Sequence, residues 1–268
     1  MGVIMRRSIM LVDMNAFFIS CETVRNPELR GRPAAVAGDP KNRSGIILTA
    51  NYEARKYGVK TTMLLHQARK LCPDIIFVPP DHGYYRKMSD MVMELLYSYS
   101  PVIEQNSIDE AWLDVTGCEA IFGKPRQMAE SIMDSIESKL GLCCSIGISE
   151  NKFLAKMASN FKKPLGITEI RRDEVEERIW PLPVREMYGI GKRTEKKLYD
   201  MGIYTIGDIA GCDKKVLTAP FGKYGEEIYL LATGIDNSAV KSNYDAKNKS
   251  ISRSSTLPSD ITDVKHAL

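Results

Sequence analysis

The stretch NSIDEAWLD, residues 106–114, combines the apolar side chains of a buried strand with two adjacent carboxylates, Asp109 and Glu110. Burying two neighbouring carboxylates costs desolvation energy and makes them repel each other. Adjacent residues of a regular strand face opposite sides of the sheet, so the two side chains can share a ligand only at a strand end or turn. Asn106 and Ser107, just before the pair, favour such an irregularity.

A third carboxylate, Asp13, ends the apolar run IMLV at residues 9–12. If the two runs are neighbouring strands of one sheet, Asp13, Asp109 and Glu110 converge. Carboxylates without nearby His or Cys are hard oxygen ligands that favour Mg²⁺ or Mn²⁺ over Zn²⁺. Two such ions about 3.5–4 Å apart are suited to phosphoryl transfer. The alternative is that Asp109 and Glu110 cap a hairpin while Asp13 caps the next helix, and spacing alone leaves both interpretations open.

Strand-like and helical patterns alternate up to about residue 171, and only short helices punctuated by glycines follow. This order predicts an α/β (α+β) fold: a small ferredoxin-like sheet covered by helices on one face, then an all-α unit from residue 172. Predicted strands lie at residues 9–12, 34–37, 46–49, 75–78, 106–114 and 143–149, and predicted helices at residues 51–58, 66–73, 84–99, 126–140 and 152–161.

The C-terminal segment predicts an incomplete domain. Residues 236–250 are polar and typical of a linker, and ISRSSTLP (residues 251–258) has the pattern of one strand. A lone strand cannot bury itself. We therefore expect the chain to be cut off inside a further domain.

Charge is distributed unevenly although the net charge of the 268 residues is only +3. Residues 1–60 carry ten Lys/Arg and five Asp/Glu, residues 101–150 carry three and nine, and residues 151–200 carry twelve and eight. An acidic centre between basic regions suits a cation site flanked by phosphate-binding surfaces, although solvated helix faces produce the same pattern. The six cysteines form no C-x-x-C pair, which indicates a reducing, cytoplasmic location. No apolar run is long enough to cross a membrane.

Two basic patterns are candidates for binding a triphosphate. Tyr52 and Arg55 are spaced i, i+3 and share a helix face, where the tyrosine can support a phosphate-binding guanidinium. A basic stripe follows the acidic strands, and its alternative interpretation is an ordinary solvated face. The stripe consists of Lys152, Lys156, Ser159 and Lys163.

The segment LPVREMYGIGKRTEKKLYDMG, residues 182–202, is typical of a helix-hairpin-helix. It lacks the Ser or Thr that follows Gly-Lys in a Walker loop and the last glycine of a dinucleotide fingerprint. In a helix-hairpin-helix, exposed backbone N–H groups and a helix N-terminus bind a DNA phosphate without reading sequence. Gly189, Gly191, Lys192 and Arg193 are the candidate DNA-binding residues, and the alternative is a plain helical turn.

Five ordered motifs resemble the Y-family of translesion DNA polymerases, most closely the DNA polymerase IV (DinB-type) branch. The resemblance extends from about Met10 to the end of the chain. The motifs are VDMNAFF, TANYEARKYGVK, YSPVIEQNSIDEAWLDVTG, SIGISENKFLAKMASNFKKP and GIGKRTEKKL.

The resemblance implies a right-hand architecture. A palm would comprise residues 1–15 and 82–171, with inserted α/β fingers at residues 16–81. A helix-hairpin-helix thumb would occupy residues 172–237. Residues 238–268 would form a linker and the first strand of a little finger that is otherwise missing.

The resemblance also implies roles for individual residues. Asp13, Asp109 and Glu110 match the catalytic carboxylates, which with the backbone carbonyl of Met14 would hold two Mg²⁺ ions, Mn²⁺ being the alternative. Phe18 matches a steric gate that excludes the ribose 2′-OH, whereas Phe17 fits a core role better. The remaining nucleotide-binding matches are Thr49, Tyr52, Arg55 and Lys163.

One departure from the family pattern concerns the roof over the nascent base pair. Ile46 and Leu48 match this roof, where relatives often carry smaller residues, so we expect restricted access for bulky adducts. The implied partners are primer–template DNA and dNTPs, for a monomer without membrane attachment. A sliding clamp is expected to bind a full-length form through the missing C-terminal residues.

The predicted function is template-directed, low-fidelity DNA synthesis by two-metal phosphoryl transfer in translesion synthesis and repair. The first alternative is a non-catalytic DNA-binding module that uses the helix-hairpin-helix. The second is a nucleotidyl cyclase, which would need an NTP but no template.

Overall fold

The apolar run at residues 9–12 forms the middle of a five-stranded sheet in the computed structural model, which describes residues 7–39, 45–242 and 252. Strand β1 (Ile9–Met14) is buried along its whole length. It is antiparallel to both of its neighbours, so the termini of the three strands alternate at each end of the sheet. The sheet order is β5-β6-β1-β7-β8, with β5 (Ile103–Gln105), β6 (Glu110–Asp114), β7 (Cys144–Ser149) and β8 (Ile167–Glu169).

The described chain divides into two compact units, of which the first comprises residues 7–15 and 90–242 and the second comprises residues 16–39 and 45–89. The division after Ser89 lies inside α4 (His82–Tyr97), whereas the sequence suggested a palm–fingers boundary at residues 81/82. The other helices of the first unit are α5 (Glu119–Phe122), α6 (Pro125–Leu140), α7 (Lys152–Phe161), α8 (Val175–Arg178), α9 (Lys192–Asp200), α10 (Ile206–Gly211), α11 (Lys214–Phe221) and α12 (Lys223–Ala232).

Helix α7 lies directly on strand β7 because Gly147 has no side chain. A Cβ atom at Gly147 would lie 1.9 Å from the carbonyl oxygen of Ala155. The opposite face of α7 enters the core of the C-terminal helices, which explains why the proposed palm and thumb belong to one unit. This shared core includes Phe153, Leu154, Met157, Ala158, Ile170, Val175, Ile179, Leu198, Ile206, Ile209, Leu217 and Ile228.

Residues 236–242 differ from a free linker because they contact the five-stranded sheet region. Val240 is buried among Ile9, Leu11, Trp112 and Ala155. The backbone N–H of Lys241 donates to Glu104 Oε2 at 2.8 Å. The buried Val240 side chain and this hydrogen bond together hold the segment against the sheet region, which composition alone did not predict. The expected strand at residues 251–258 lies outside the described residues, apart from residue 252.

The second unit is built on a three-stranded sheet with the order β3-β2-β4. Asn51 joins this sheet to the following helix, since its Oδ1 accepts from the backbone N–H groups of Ala34 and Ala54, both at 3.0 Å. The elements of this unit are α1 (Phe17–Arg25), β2 (Ala34–Ala37), β3 (Ile47–Ala50), α2 (Tyr52–Lys56), α3 (Leu65–Leu71) and β4 (Ile76–Val78).

The predicted α/β class is confirmed by this arrangement of sheets and helices. The sequence did not predict β5 and β8, which are three residues long and carry no extended apolar run. Within residues 7–39 and 45–242, no helix combines the length and apolarity needed to cross a bilayer.

Candidate active site

The register of β1 and β6 brings two of the predicted carboxylates together. Asp13 and Glu110 are direct cross-strand partners. Partners in an antiparallel pair project from the same face, so the two side chains are neighbours. They are 8% and 9% exposed. Like charges directly opposite each other destabilise a sheet unless a cation compensates them.

Lys156, from helix α7, provides a compensating cation. Its Nζ lies 3.0 Å from Asp13 Oδ2 and also donates a short hydrogen bond to Glu110 Oε2. A second ammonium, that of Lys163, lies 2.8 Å from Asp13 Oδ1. The basic stripe predicted from sequence therefore meets the acidic strands through two of its lysines.

The charges of this cluster are mutually stabilised. Burial raises the pKa of Asp13, but the positive charges of Lys156 and Lys163 and their hydrogen bonds outweigh it, so the pKa lies below its usual value. Burial lowers the pKa of Lys156, but the charge of Asp13 and the hydrogen bond and charge of Glu110 reverse this effect, and the net pKa is raised. Both groups are therefore charged at neutral pH.

Asp109 lies in the turn before β6, as its position beside Asn106 and Ser107 suggested. Its backbone oxygen accepts from the N–H of Met14 at 2.9 Å, which places it beside the end of β1. Its carboxylate Oδ1 accepts from Ser107 Oγ at 2.5 Å. The structure thus joins Asp13 to Glu110 directly and Asp109 through the backbone.

The Asp13 and Glu110 side chains fit a hard divalent ion because both offer carboxylate oxygens. Their joint negative charge already attracts one cation, the ammonium of Lys156. In this arrangement, the described residues contain no cluster of three or more His, Cys, Asp or Glu side chains that could hold a metal ion. The three-carboxylate site therefore stays a prediction. It requires the side chain of Asp109 to turn from Ser107 toward the pair.

Asn15 fixes the chain segment that carries Lys163. Its Nδ2 donates to Ser145 Oγ at 3.0 Å, and its Oδ1 accepts from the backbone N–H of Leu165 at 3.0 Å. Asn15 is 3% exposed. The segment after α7 is consequently held at the ends of β1 and β7.

In the second unit, Phe18 and Phe17 have different environments. Phe17 is 3% exposed, in agreement with the core role expected for it. Phe18 is half-buried and stacks on Tyr85, with ring centroids 4.5 Å apart and ring planes 13° from parallel. The hydroxyl of Tyr85 donates to the buried Glu22 at 2.6 Å. Arg25 in turn bonds both oxygens of Glu22, at 2.8 and 2.9 Å.

The predicted phosphate-binding pair of the second unit is in contact. The Arg55 guanidinium lies 4.9 Å from the ring centroid of Tyr52, and its Nε donates to the carbonyl of Ala50 at 2.8 Å. Thr49 precedes them in β3 and is paired with Val36.

The residues matched to the roof lie in and beside the same strand. Ile46 and Leu48 are both half-buried, and Ile46 forms an isolated bridge with Leu64. These contacts do not test whether Ile46 and Leu48 restrict access for bulky adducts, so that effect stays a prediction.

The glycine hairpin is exposed, but its first helix is shorter than predicted. A single 3₁₀ turn, Val184–Glu186, precedes it, because Pro181 and Pro183 restrict the backbone on the N-terminal side. Gly189 has φ +94°, a conformation that favours glycine. Gly191 is the N-cap of α9, so the predicted second helix begins at Lys192. Lys192 and Arg193 are exposed in its first turn.

Sequence reasoning assigned no functional role to Asn106 or Tyr85, and it placed Lys156 in the phosphate-binding stripe without predicting its contact with the carboxylates. Asn106 donates a short hydrogen bond to Glu110 Oε1. The i, i+4 spacing of Lys152 and Lys156 placed both on one face, but only the position of α7 over the sheet shows which of them meets the carboxylates. Tyr85 carried no signal beyond its place on a helix.

Family profiles match both parts of this arrangement. The profile of the impB/mucB/samB family matches residues 12–160, more than half of the chain. The profile described as the IMS family HHH motif matches residues 172–203. The chain belongs to the impB/mucB/samB family, and its predicted membership of the Y-family is confirmed.

Within this family the chain is similar to proteins named DNA polymerase IV. It is 62% identical to that of Clostridium kluyveri over 263 residues (98% of this chain, 66% of the relative). It is 56% identical to that of Alkaliphilus oremlandii over 257 residues (96% and 65%). A solved Y-family DNA polymerase chimera, Dbh-Dpo4(243-245)-Dbh, matches with TM-score 0.79 and 32% identity (87% and 69%). The chain spans slightly less than two thirds of the length of these two curated relatives.

Proposed function

We propose that this chain catalyses template-directed, low-fidelity DNA synthesis that acts in translesion synthesis and DNA repair. The observation that carries the proposal is the buried Asp13–Glu110 pair, which faces basic side chains at the middle of the sheet. The names of the relatives support the reaction class. Primer–template DNA and dNTPs are the proposed partners, while clamp binding, a monomeric state and a cytoplasmic location rest on sequence reasoning alone.

In the proposed reaction, the primer 3′-OH attacks the α-phosphate of a dNTP. A phosphodiester bond forms, the bond between the α- and β-phosphates breaks, and pyrophosphate leaves. Asp13, Glu110 and Asp109, with the carbonyl of Met14, are the proposed ligands of two Mg²⁺ ions. Bound divalent ions orient the reacting oxygens and neutralise the charge that develops on the phosphate.

The other side chains bind and select the nucleotide. Arg55, supported by Tyr52, and Lys163 are proposed to bind the triphosphate, because guanidinium and ammonium groups donate hydrogen bonds to phosphate oxygens and carry the opposite charge. Thr49 is proposed as a further contact. Phe18 is proposed to exclude the ribose 2′-OH by steric contact. The ring of Phe18 is suited to this role because stacking on Tyr85 restricts its orientation.

The helix-hairpin-helix is proposed to hold duplex DNA by its backbone. The exposed N–H groups at the N-terminus of α9 and the side chains of Lys192 and Arg193 suit a phosphate. Such contacts position DNA without reading its sequence, which fits an enzyme that copies any template.

The test is extension of a labelled primer on a template, with Mg²⁺ and dNTPs at low salt, because phosphate contacts weaken as salt rises. We expect addition directed by the template and abolished in Asp109→Ala. Asp114→Asn is the matched control: it removes an acid from the other end of β6, where Asp114 accepts from the N–H and hydroxyl of Thr116. Addition without a template would indicate another nucleotidyl transfer. DNA binding without any addition, also in a chain extended at its C-terminus, would indicate a binding module.

A further inference from the structure

Every oxygen of the Asp13–Glu110 pair accepts a hydrogen bond from a nitrogen of this chain. Lys163 bonds Oδ1 of Asp13, and Asn106 bonds Oε1 of Glu110. The remaining two oxygens, one from each carboxylate, share the ammonium of Lys156. Lys156 therefore lies where a bridging cation would lie.

We propose that Lys156 is an internal cation that competes with divalent metal for the Asp13–Glu110 pair. The inference rests on the proposed function only in that the pair is taken as the metal site. Metal binding then becomes an exchange, in which the ammonium leaves the carboxylates as the ion arrives. Lys156 acts as a positioning residue that sets how readily the metal-free protein accepts an ion.

The geometry makes the two occupants mutually exclusive. Mg²⁺ binds carboxylate oxygens at about 2.0–2.1 Å and demands a near-octahedral shell. The Lys156 ammonium, 3.0 Å from Asp13 Oδ2 and hydrogen-bonded to Glu110, occupies the space between the same two oxygens. An ion that bridges the pair cannot enter until the ammonium withdraws.

The Lys156 ammonium can leave the pair without movement of its helix. The backbone of α7 is fixed against β7 by the close approach at Gly147. The four-carbon stem of lysine is flexible, so its ammonium can leave one partner for another while the helix stays in place. The exchange is also electrostatically reasonable, because the repelling pair never remains uncompensated.

Lys152 offers a matched control for this inference. It lies one turn earlier on α7, and its side chain is 13% exposed, as is that of Lys156. Its ammonium bonds Glu104 at 2.7 Å, away from the Asp13–Glu110 pair. Lys156→Met and Lys152→Met therefore remove the same charge and similar packing from one helix, and they differ in which carboxylate loses its partner.

The experiment is a titration of the protein with Mn²⁺ in the absence of DNA and nucleotide. Binding is monitored through the electron paramagnetic resonance signal of the free ion. We expect the Kd for Mn²⁺ to fall about tenfold or more in Lys156→Met, because a unit charge at about 4 Å acts strongly even at an effective dielectric constant of about 20. Lys152→Met should keep the wild-type Kd. Adding Asp13→Asn to Lys156→Met should abolish the gain. Without metal, Lys156→Met should unfold at a lower temperature than wild type, and Mn²⁺ should restore the loss.

An unchanged or higher Kd in Lys156→Met overturns the inference, as does an equal gain in Lys152→Met. If Lys156→Met does not fold, Lys156→Arg decides. A guanidinium binds carboxylates with two parallel hydrogen bonds, so it should compete better and raise the Kd; an equal or lower Kd overturns the inference. Because these measurements need no catalysis, primer extension can fail while they succeed, and the reverse also holds.

Discussion

The ring of Phe18 lies almost parallel to that of Tyr85, 4.5 Å away between centroids, so the proposed steric gate has a fixed backing. His82 contacts both rings edge-on, at 5.8 and 5.9 Å. A gate discriminates by contact with the sugar, and a ring free to rotate would yield to a 2′-OH. The selectivity for deoxynucleotides is therefore predicted to depend on Tyr85 as well as on Phe18.

We expect Phe18→Ala to raise ribonucleotide incorporation strongly and Tyr85→Leu to raise it more weakly. Loss of the stack leaves the Phe18 ring in place but no longer restrained. The measurement is the ratio of kcat/KM for dNTP and rNTP in single-nucleotide addition. Tyr85→Phe is the matched control, because it retains the ring and should retain the ratio. Equal ratios for Tyr85→Leu and wild type would show that the stack has no role in selectivity.

The hydroxyl of Tyr85 is predicted to contribute to stability instead. It donates to Glu22 at 2.6 Å, and the Glu22 side chain is 3% exposed. Removing one partner from a buried charged acceptor typically costs about 1–3 kcal/mol. Tyr85→Phe should lower the free energy of unfolding by that amount, measured by urea denaturation. A loss near zero would mean that Arg25 alone satisfies the carboxylate.

The contact between α7 and β7 gives a second stability prediction. In Gly147→Ala, the new methyl group would lie 1.9 Å from the Ala155 oxygen, which is backbone and cannot rotate away. Overpacking of this kind typically costs about 1–3 kcal/mol. Displacing α7 also moves Lys156, so the variant should lose primer extension in addition to stability.

Gly211→Ala is the control for this substitution. Apart from its chain neighbours and the backbone of its own helix, no atom lies within 4 Å of a Cβ atom at Gly211, so we expect little change in the unfolding free energy. Equal losses in the two variants would mean that the close approach of α7 is not what Gly147 provides.

Sequence patterns predicted the strands of Asp13 and Glu110 because both carry contiguous apolar runs, which report burial directly. They could not predict the register that makes the two residues partners, since register depends on contacts between distant segments. The same limit applies to Lys156, whose partner depends on where α7 lies over the sheet. The prediction of a full first helix in the hairpin was wrong for a local reason, since Pro181 and Pro183 restrict the backbone there.

Asp208 gives a prediction about pH. Its carboxylate accepts from the backbone N–H groups of Tyr204 and Thr205 at 2.9 and 2.8 Å, and these hydrogen bonds lower its pKa. A carboxylate whose pKa is lower in the folded state adds stability above its unfolded pKa, about 3.9, and that stability is lost as the pH falls through the lowered value. The difference in unfolding free energy between wild type and Asp208→Asn should therefore be constant near neutral pH and shrink in acid. A difference unchanged down to about pH 2 would contradict this.

The glycine hairpin gives a prediction about DNA binding. Lys192 and Arg193 are exposed in the first turn of α9, where the helix N-terminus also favours an anion. Each phosphate contact adds about 0.9 to the slope of log K against log salt concentration. In Lys192→Ala/Arg193→Ala, duplex affinity should fall equally for unrelated sequences, and the slope should decrease by up to about 2. Lys139→Ala, which removes an exposed charge from the end of α6, should leave the slope unchanged. A loss of affinity confined to one DNA sequence would indicate base contacts. An equal loss of affinity in Lys139→Ala would indicate a diffuse effect of charge. Either result would contradict a phosphate contact at the hairpin.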